Sequence, residues 1–341
     1  MTIIWPTFAF VVLTTLTVHA QAFPELAPVP ALPPPPFDVW LNDVRVEAAS
    51  RGIREEILDR TLSGITPVAQ ILERDRTQTE FVLDVDTYLK RRVTRDTVRT
   101  AQRMLSRHRS LLLKISKRYG VPSRVIVAVW GLESNFGRFA GVRPTIPTLA
   151  TLAYDPRRSA FFREELFSAL QILNRGDIEL DRLKGSWAGA LGQPQFMPSS
   201  YLQYAEDFDG DGRRDIWTSP PDIFASVANY LHKHGWKAAH TWGREIKVPA
   251  AARESIDALP TRETGCRAKR LMSPPQPLSA WRRLGVRTLT GRVLPTADIE
   301  ASIVPAGSRY FLAYPNYDAL LAYNCAHTYV LAVALLSDRI E

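Results

Sequence analysis

The pattern of apolar and polar residues between positions 38 and 118 is that of a series of helices. Apolar side chains there recur three or four positions apart with Arg and Lys between them, as at Met104, Leu111, Leu112, Ile115 and Tyr119. A Gly-Val-Pro run at 120–122 then ends the last of these helices, because proline cannot continue one. We therefore predict helix over residues 38–118.

The next segment predicts a more buried helix over residues 123–133. Its apolar residues Ile126, Val129 and Trp130 share one face with Glu133, since these positions lie three, four and seven residues apart. Residues 160–174 form a further amphipathic pattern. A Pro-Pro pair at 220–221 begins another helix that Gly235 ends.

Beyond about residue 240 the chain becomes richer in β-forming residues. Short runs at 245–248, 302–304 and 310–314 predict a small sheet, and residues 316–338 predict one terminal helix. The fold is therefore predicted to be mainly α with a small antiparallel β part. The expected organisation is a helical domain over 38–240, a β-rich subdomain over 241–315 and a C-terminal helix over 316–341 that packs back on the helical domain.

The first twenty residues have the features of an export signal. Residues 3–18 are almost wholly apolar or Thr, and the small residues that follow fit cleavage after Ala20, with Ala22 as the second choice. An uncleaved anchor is the alternative, although a span normally needs about 20 apolar residues. Residues 21–37 contain four consecutive prolines and predict a semi-rigid linker. We therefore expect a periplasmic protein.

The net charge indicates the kind of partner, and the cysteines bear on the cellular compartment. The formal net charge of +8 indicates an anionic partner, and it does not choose between nucleic acid, an acidic membrane and an acidic polymer. An export signal argues against nucleic acid. Cys266 and Cys325 are the two cysteines of the sequence, and an oxidising compartment favours a disulfide between them over two buried thiols.

Glu133 is the candidate general acid. A carboxyl beside Val129 and Trp130 loses solvation, so its pKa should rise and keep it protonated near neutral pH. Taken alone, such a residue is more often a helix cap or an ion-pair partner. The run 189–201 favours the catalytic interpretation, because its small residues, amides and aromatics suit an oligosaccharide slot.

Residues 207–218 match an EF-hand loop over their first nine positions. Gly212 permits the sharp turn, and Thr218 stands where the bidentate Glu is expected. Binding of a structural Ca²⁺ or Na⁺ should therefore be weak, and a solvated acidic turn is the alternative. The predicted ligands are Asp207, Asp209, Asp211, the carbonyl of Arg213, and Asp215.

Several ordered motifs resemble the lytic murein transglycosylase B family, of the glycoside hydrolase family 103 type. The resemblance runs from about residue 38 to the end. It rests on residues 129–137, Pro156-Arg157-Arg158, 185–190, 192–201, 227–230, Tyr323-Asn324 and Tyr329.

The resemblance implies a lysozyme-like α-helical core with an additional helical part and a small β part. It also implies cleavage of the β-1,4 bond between N-acetylmuramic acid and N-acetylglucosamine in peptidoglycan, with 1,6-anhydromuramoyl ends. Glu133 matches the sole catalytic carboxyl, which acts first as acid and then as base. A hydrolytic muramidase would need a second carboxylate, for which Asp155 and Glu165 are the candidates. A non-catalytic peptidoglycan-binding scaffold is the third alternative.

The same resemblance implies further roles for residues of this chain. Arg157 and Arg158 match an Arg pair for peptide or lactyl carboxylates, and the acidic loop matches one with a bound cation. Pro194 departs from the small residue usual there. No cofactor is needed for the chemistry, and the expected partners of a monomer are glycan strands and other cell-wall enzymes. The residues that should line the glycan cleft, with core packing as the alternative for each tyrosine, are Ser186, Gln195, Tyr230, Tyr323, Asn324, Tyr329 and, with weaker flanking similarity, Tyr88.

Overall fold

Helices form most of the chain in the computed structural model, which describes residues 35–77 and 83–340. They span Phe37–Ser50 (α1), Glu55–Leu62 (α2), Ala69–Thr77 (α3), Val85–Arg92 (α4), Arg95–Arg107 (α5), Arg109–Tyr119 (α6), Ser123–Ser134 (α7), Thr145–Tyr154 (α8), Ser159–Arg175 (α9), Pro198–Tyr204 (α10), Pro220–Lys233 (α11), Ala250–Asp257 (α12), Leu278–Arg283 (α13), Pro315–Tyr323 (α14) and His327–Ser337 (α15). The helices predicted before residue 240 are confirmed, with 38–118 divided among α1 to α6. The predicted signal peptide and most of the linker lie outside the described residues.

Helix α7 lies at the centre of the larger hydrophobic core. Every residue from Val125 to Leu132 is buried, and the helix packs against α5, α6, α11 and α15. The sequence explains this burial, because a helix that is apolar all round must be surrounded by protein. A second core joins α1, α2 and α8 to α10 around Phe162, Leu166 and Leu170.

Two β-sheets complete the fold of the described residues. Strands β1 (Arg143–Pro144) and β2 (Lys184–Gly185) pair beside the helices. The strands of the larger sheet are β3 (Gly243–Lys247), β4 (Gln276–Pro277), β5 (Arg287–Thr288), β6 (Glu300–Ala306) and β7 (Arg309–Ala313). This sheet is antiparallel in the order β4-β6-β7-β3-β5, which confirms the predicted small sheet.

The prediction of one terminal helix over 316–338 is wrong. Helices α14 and α15 are separate and meet at an angle of 118°. Asn324 and Ala326 both have extended backbone angles, which ends one helix before the next begins. Between them, Cys325 forms a disulfide with Cys266, whose Cα lies 6.2 Å away, so this break is tied to a distant part of the chain. The predicted disulfide is thereby confirmed.

Residues from Pro35 onward cluster as one compact unit, so the boundaries expected at residues 240 and 315 remain predictions. Within residues 35–77 and 83–340, no single helix is long and apolar enough to cross a membrane. The bent pair α14–α15 is long and apolar enough only when its two helices are taken together, by length and composition alone.

Candidate active site

Glu133 lies in the last turn of α7, immediately before a tight change of chain direction. Asn135 and Phe136 both adopt left-handed backbone angles, with φ of 50° and 58°. The Ser134 hydroxyl donates to the Trp130 carbonyl at 2.9 Å and accepts from the Gly137 amide at 3.0 Å. A left-handed Phe costs about 1–3 kcal/mol, which the surrounding packing must offset. The turn is therefore held in one conformation.

The Glu133 carboxyl is surrounded by protein although the residue keeps a partial opening to solvent. Burial is the dominant influence and raises its pKa to about 7, while the Tyr329 hydroxyl and the Arg92 guanidinium favour the charged form and oppose that rise. A carboxyl of this kind is substantially protonated near neutral pH. The predicted raised pKa of Glu133 therefore has a structural basis.

Three predicted cleft tyrosines surround Glu133. Burial raises the pKa of Tyr88, Tyr323 and Tyr329, and the Glu133 charge adds to the effect in each case. Their hydroxyls therefore stay protonated and can donate hydrogen bonds. The Tyr323 hydroxyl donates to the Pro194 carbonyl at 2.7 Å. The Tyr329 hydroxyl is buried beside Glu133 and makes no well-formed hydrogen bond within the described part of the chain.

Tyr230 supports this group from one side. Its ring centroid lies 4.7 Å from that of Tyr323 and 5.4 Å from that of Phe196, and its hydroxyl donates to the Ala322 carbonyl at 2.7 Å. Asn324 lies exposed at the end of α14, next to Tyr323. The break between α14 and α15 therefore lies between Tyr323 and Tyr329, which both lie near Glu133.

Gln195 and Ser186 make hydrogen bonds within their own loops. Gln195 has a left-handed φ of 54°, and its side-chain amide donates to the Gly192 carbonyl at 2.8 Å. The Ser186 hydroxyl accepts from the amides of Ala188 and Ala190 at 3.3 and 3.1 Å. Ser186 can still donate its hydroxyl proton, and the Gln195 carbonyl oxygen can still accept.

The structure does not bring the predicted Arg pair to the tyrosines. Arg157 and Arg158 both bind the Asp75 carboxylate, with an Nη2–Oδ2 distance of 2.8 Å for Arg157, which also binds Asp155. These contacts tie the start of α9 to α3. Both guanidinium groups remain about half exposed, so either could also meet a ligand carboxylate from the solvent side.

Neither candidate for a second catalytic carboxylate faces Glu133. Glu165 is buried and accepts from the amide and hydroxyl of Ser199 at 2.9 and 2.7 Å, which caps the start of α10. Asp155 binds Arg157. Both carboxylates therefore have structural roles, and the site as described is built around one acid.

The acidic loop brings three of its predicted ligands together. Carboxylate oxygens of Asp207, Asp209 and Asp211 lie within 4.8 Å of one another. Asp215 is directed elsewhere, because its carboxylate accepts from the amides of Trp217 and Thr218. The Arg213 amide donates to Asp211 at 2.8 Å. Closely spaced carboxylates suit a hard cation such as Ca²⁺, so the donor chemistry fits the predicted ion.

Two residues of the site were missed from the sequence. Arg92 influences Glu133 and donates to the Leu132 carbonyl, and its position four residues after Tyr88 on one helix could have indicated it. Gln193 accepts from the Trp130 indole at 2.6 Å. It lies within the predicted slot, 189–201, but is not among the residues predicted to line the glycan cleft.

Comparison with known proteins identifies the family. Residues 36–338 match the transglycosylase SLT domain model. Membrane-bound lytic murein transglycosylase B of Escherichia coli K12 is 32% identical over 262 residues, which is 74% of this chain and 66% of the relative, so the chain spans just under two thirds of that protein.

Solved structures agree with this assignment. SltB3 of Pseudomonas aeruginosa, in complex with NAG-anhNAM-pentapeptide, is 39% identical with a TM-score of 0.81, covering 89% of this chain and 79% of that one. The Escherichia coli lytic transglycosylase Slt35, in complex with calcium, is 27% identical with a TM-score of 0.72, covering 89% and 92%. The lysozyme-like fold class is thereby confirmed. This chain belongs to the transglycosylase SLT domain family.

Proposed function

We propose that this protein is a lytic transglycosylase that cleaves the β-1,4 bond between N-acetylmuramic acid and N-acetylglucosamine and leaves 1,6-anhydromuramoyl ends. The observation that carries the proposal is the single carboxyl of Glu133, buried among protonated tyrosines with its pKa raised to about 7. The relatives support the substrate class, since SltB3 is described in complex with a peptidoglycan fragment.

Glu133 first acts as the general acid. It donates its proton to the glycosidic oxygen as the bond from that oxygen to C1 of the muramoyl residue breaks. The carboxylate that forms is stabilised by the Arg92 guanidinium and the Tyr329 hydroxyl, both of which favour the charged state. The sugar's 6-hydroxyl then attacks C1, and Glu133 accepts its proton. The carboxyl ends the cycle protonated, and water is not consumed.

The cleft residues take roles suited to their chemistry. Tyr88, Tyr323 and Tyr329 hold donors around the acid, and Asn324 lies at the open end of α14. Gln195 and Ser186 offer hydrogen bonds to sugar hydroxyls, as the resemblance implies, and Tyr230 mainly supports the Tyr323 ring. Arg157 and Arg158 offer half-exposed positive charge to the carboxylates of peptidoglycan stems.

Mass analysis of digested peptidoglycan tests the proposed reaction. Anhydro products are lighter by one water than the reducing-end products of a hydrolase, so the two activities separate by mass. Wild-type protein should release anhydro fragments from purified sacculi. Products that carried only reducing muramic acid would assign the chain as a hydrolytic muramidase, and no release at all would favour a binding scaffold.

The pH dependence of turnover should depend on Glu133. Because the acid must be protonated, the rate should fall as the pH rises through about 7. Arg92→Gln removes a positive charge that lowers the Glu133 pKa. The falling limb of the pH–rate profile should therefore move to higher pH by about half a unit. Rates on soluble glycan fragments measure this shift, with the exposed neighbour Arg91→Gln as control. An unchanged or lowered limb in Arg92→Gln would contradict the assignment.

We further propose that the acidic loop holds a structural Ca²⁺ or Na⁺. Asp207, Asp209 and Asp211 would bind it, with the Arg213 carbonyl and Asp215 completing the set directly or through water. A bound cation would neutralise the mutual repulsion of these carboxylates and fix the loop. The calcium complex of Slt35 supports this proposal for a relative.

Loss of one loop carboxylate should remove the stabilisation by calcium. CaCl₂ added to EDTA-treated wild-type protein should raise its melting temperature, because the ion binds the folded loop. At a free Ca²⁺ concentration of 100 times Kd, the stabilisation is about 2.7 kcal/mol. Asp209→Asn should abolish the response, and exposed Asp181→Asn should retain it. NaCl in place of CaCl₂ distinguishes the two ions. An undiminished calcium response in Asp209→Asn would refute the ligand assignment.

For localisation we propose the periplasm, with cleavage of the signal after Ala20. The family acts on the cell wall, which agrees with an extracytoplasmic site. The Cys266–Cys325 disulfide suits an oxidising compartment. The proposed partners of the monomer are glycan strands and other cell-wall enzymes.

A further inference from the structure

Gln193 lies where three parts of the site meet. Its backbone N–H donates to the Ile216 carbonyl at 2.9 Å. Its side-chain oxygen accepts from the Trp130 indole at 2.6 Å, and its side-chain nitrogen donates to the Trp217 carbonyl at 2.7 Å. The Trp130 indole donates to the side-chain oxygen and the Trp217 carbonyl accepts from the side-chain nitrogen. These two bonds fix the orientation of the Gln193 side-chain amide.

On the α7 side, Gln193 contacts the last turn through Trp130. The Trp130 indole is only 6% exposed and packs edge-on against Phe136 and Phe224, at centroid distances of 5.6 and 5.0 Å. A buried indole N–H can only donate, so it needs an acceptor, and Gln193 supplies one. Trp130 precedes Glu133 by three residues on the same helix face.

The turn after Glu133 is fitted to the same amide. Gly137 has a φ of 82°, and a Cβ there would lie 2.6 Å from the Gln193 side-chain oxygen. A Cβ on Gly192 would lie 2.6 Å from the Ile216 carbonyl oxygen. The backbone at Gly137 and Gly192 therefore lies too close to Gln193 and Ile216 to accept a larger residue without a shift.

On the other side, the contacts continue into the acidic loop. The Asp215 carboxylate accepts from the amides of Trp217 and Thr218 at 2.9 and 2.8 Å. Asp222, which is fully buried, accepts from the amides of Phe208 and Asp215 at 2.8 and 2.9 Å. The loop, Trp217, Gln193 and Trp130 therefore form one continuous set of hydrogen bonds.

We propose that Gln193 is a positioning residue that couples the cation state of loop 207–218 to the placement of Trp130 and Glu133. The inference rests on the proposed function, in which the loop holds a cation and Glu133 is the acid. Coupling of this kind requires that an ion at one site changes the state of the other, and the hydrogen-bonded residues give it a continuous physical route.

The indole resonances of the tryptophans test the coupling without an activity assay. In ¹H–¹⁵N spectra of EDTA-treated wild-type protein, the Trp130 indole signal, assigned with Trp130→Phe, should shift when CaCl₂ is added. Leucine has a volume similar to that of glutamine but makes neither side-chain hydrogen bond. In Gln193→Leu the shift should therefore disappear, while calcium still raises the melting temperature. The exposed Gln203→Leu control should behave as wild type. An equal shift in Gln193→Leu, or none in wild type, would overturn the proposal.

Kinetics supply the second readout. On soluble glycan fragments, Gln193→Leu should lower kcat about tenfold with KM nearly unchanged, because a displaced acid is a poorer proton donor. The falling limb of the pH profile should also move to lower pH, since a loosened turn admits water to Glu133. A lowered melting temperature with kcat and the pH limb unchanged would reduce Gln193 to a structural role. Should wild-type protein release no anhydro products, the proposed function fails, and the indole spectra still decide the coupling.

Discussion

Glu133→Gln should lower turnover on peptidoglycan by about a thousandfold or more while glycan binding persists. The amide keeps the shape of the carboxyl but can neither donate the proton to the glycosidic oxygen nor accept one from the 6-hydroxyl, and general acid–base catalysis contributes about 10²–10⁴-fold. Release of soluble fragments measures turnover, and sedimentation with sacculi measures binding. The exposed Glu254→Gln substitution is the matched control.

The same substitution should make the protein more stable above neutral pH. Glu133 has a folded-state pKa of about 7 against an ordinary value of 4.5, so the folded state holds the proton more tightly. Wild-type stability should therefore fall as the pH rises from about 4.5 to 7 and then level off. The penalty at pH 8 is at most about 3 kcal/mol, reduced by the partial opening to solvent.

Urea unfolding at pH 4 and pH 8 measures this effect. Glu133→Gln should gain stability over wild type at pH 8 and little at pH 4, and Glu254→Gln should match wild type at both. Full turnover in Glu133→Gln would identify another residue as the acid. Equal stability of the two proteins at both pH values would show that the Glu133 carboxyl is better solvated than the structure indicates.

Removing the disulfide should have the largest effect on stability. Replacing Cys266 and Cys325 together by Ser opens a loop with a sequence separation of 59. From loop-closure entropy, we expect the unfolding free energy to fall by about 4 kcal/mol. Activity should fall as well, because Cys325 lies in the break between α14 and α15 that places Tyr323 and Tyr329 beside Glu133.

Reductant provides the internal control for this prediction. Wild-type protein with dithiothreitol should match the double Ser variant in urea unfolding, and the variant should not respond to dithiothreitol. The wild-type unfolding free energy and turnover should both differ with and without reductant. If neither differed, the Cys266–Cys325 disulfide would support neither the fold nor the positions of the tyrosines.

The segment that carries Glu133 could be predicted from the sequence because its determinants are local. Residues 125–132 are apolar on every side, so burial of α7 follows from its own composition, and Ser134 and Asn135 mark its end. The acidic loop is similarly local, since alternating Asp residues determine which carboxylates meet. The sheet followed from short β-rich runs.

The remaining features depend on contacts between distant segments. The break at 324–326 was missed because the residues around it are apolar, and the tie to Cys266 lies outside any local pattern. Arg92 comes near Glu133 because α4 packs against α15, which also packs against α7. Gln193 was not singled out within the slot, and only the fold shows that its side-chain amide binds Trp130 and Trp217.

Digestion of sacculi in H₂¹⁸O tests most directly whether Glu133 serves as both acid and base without consuming water. We predict that muramoyl ends carry no ¹⁸O and are lighter by one water than reducing ends, and that Glu133→Gln forms neither product. Incorporation of ¹⁸O at C1 of muramic acid by the wild-type protein would contradict it, because the nucleophile would then be water.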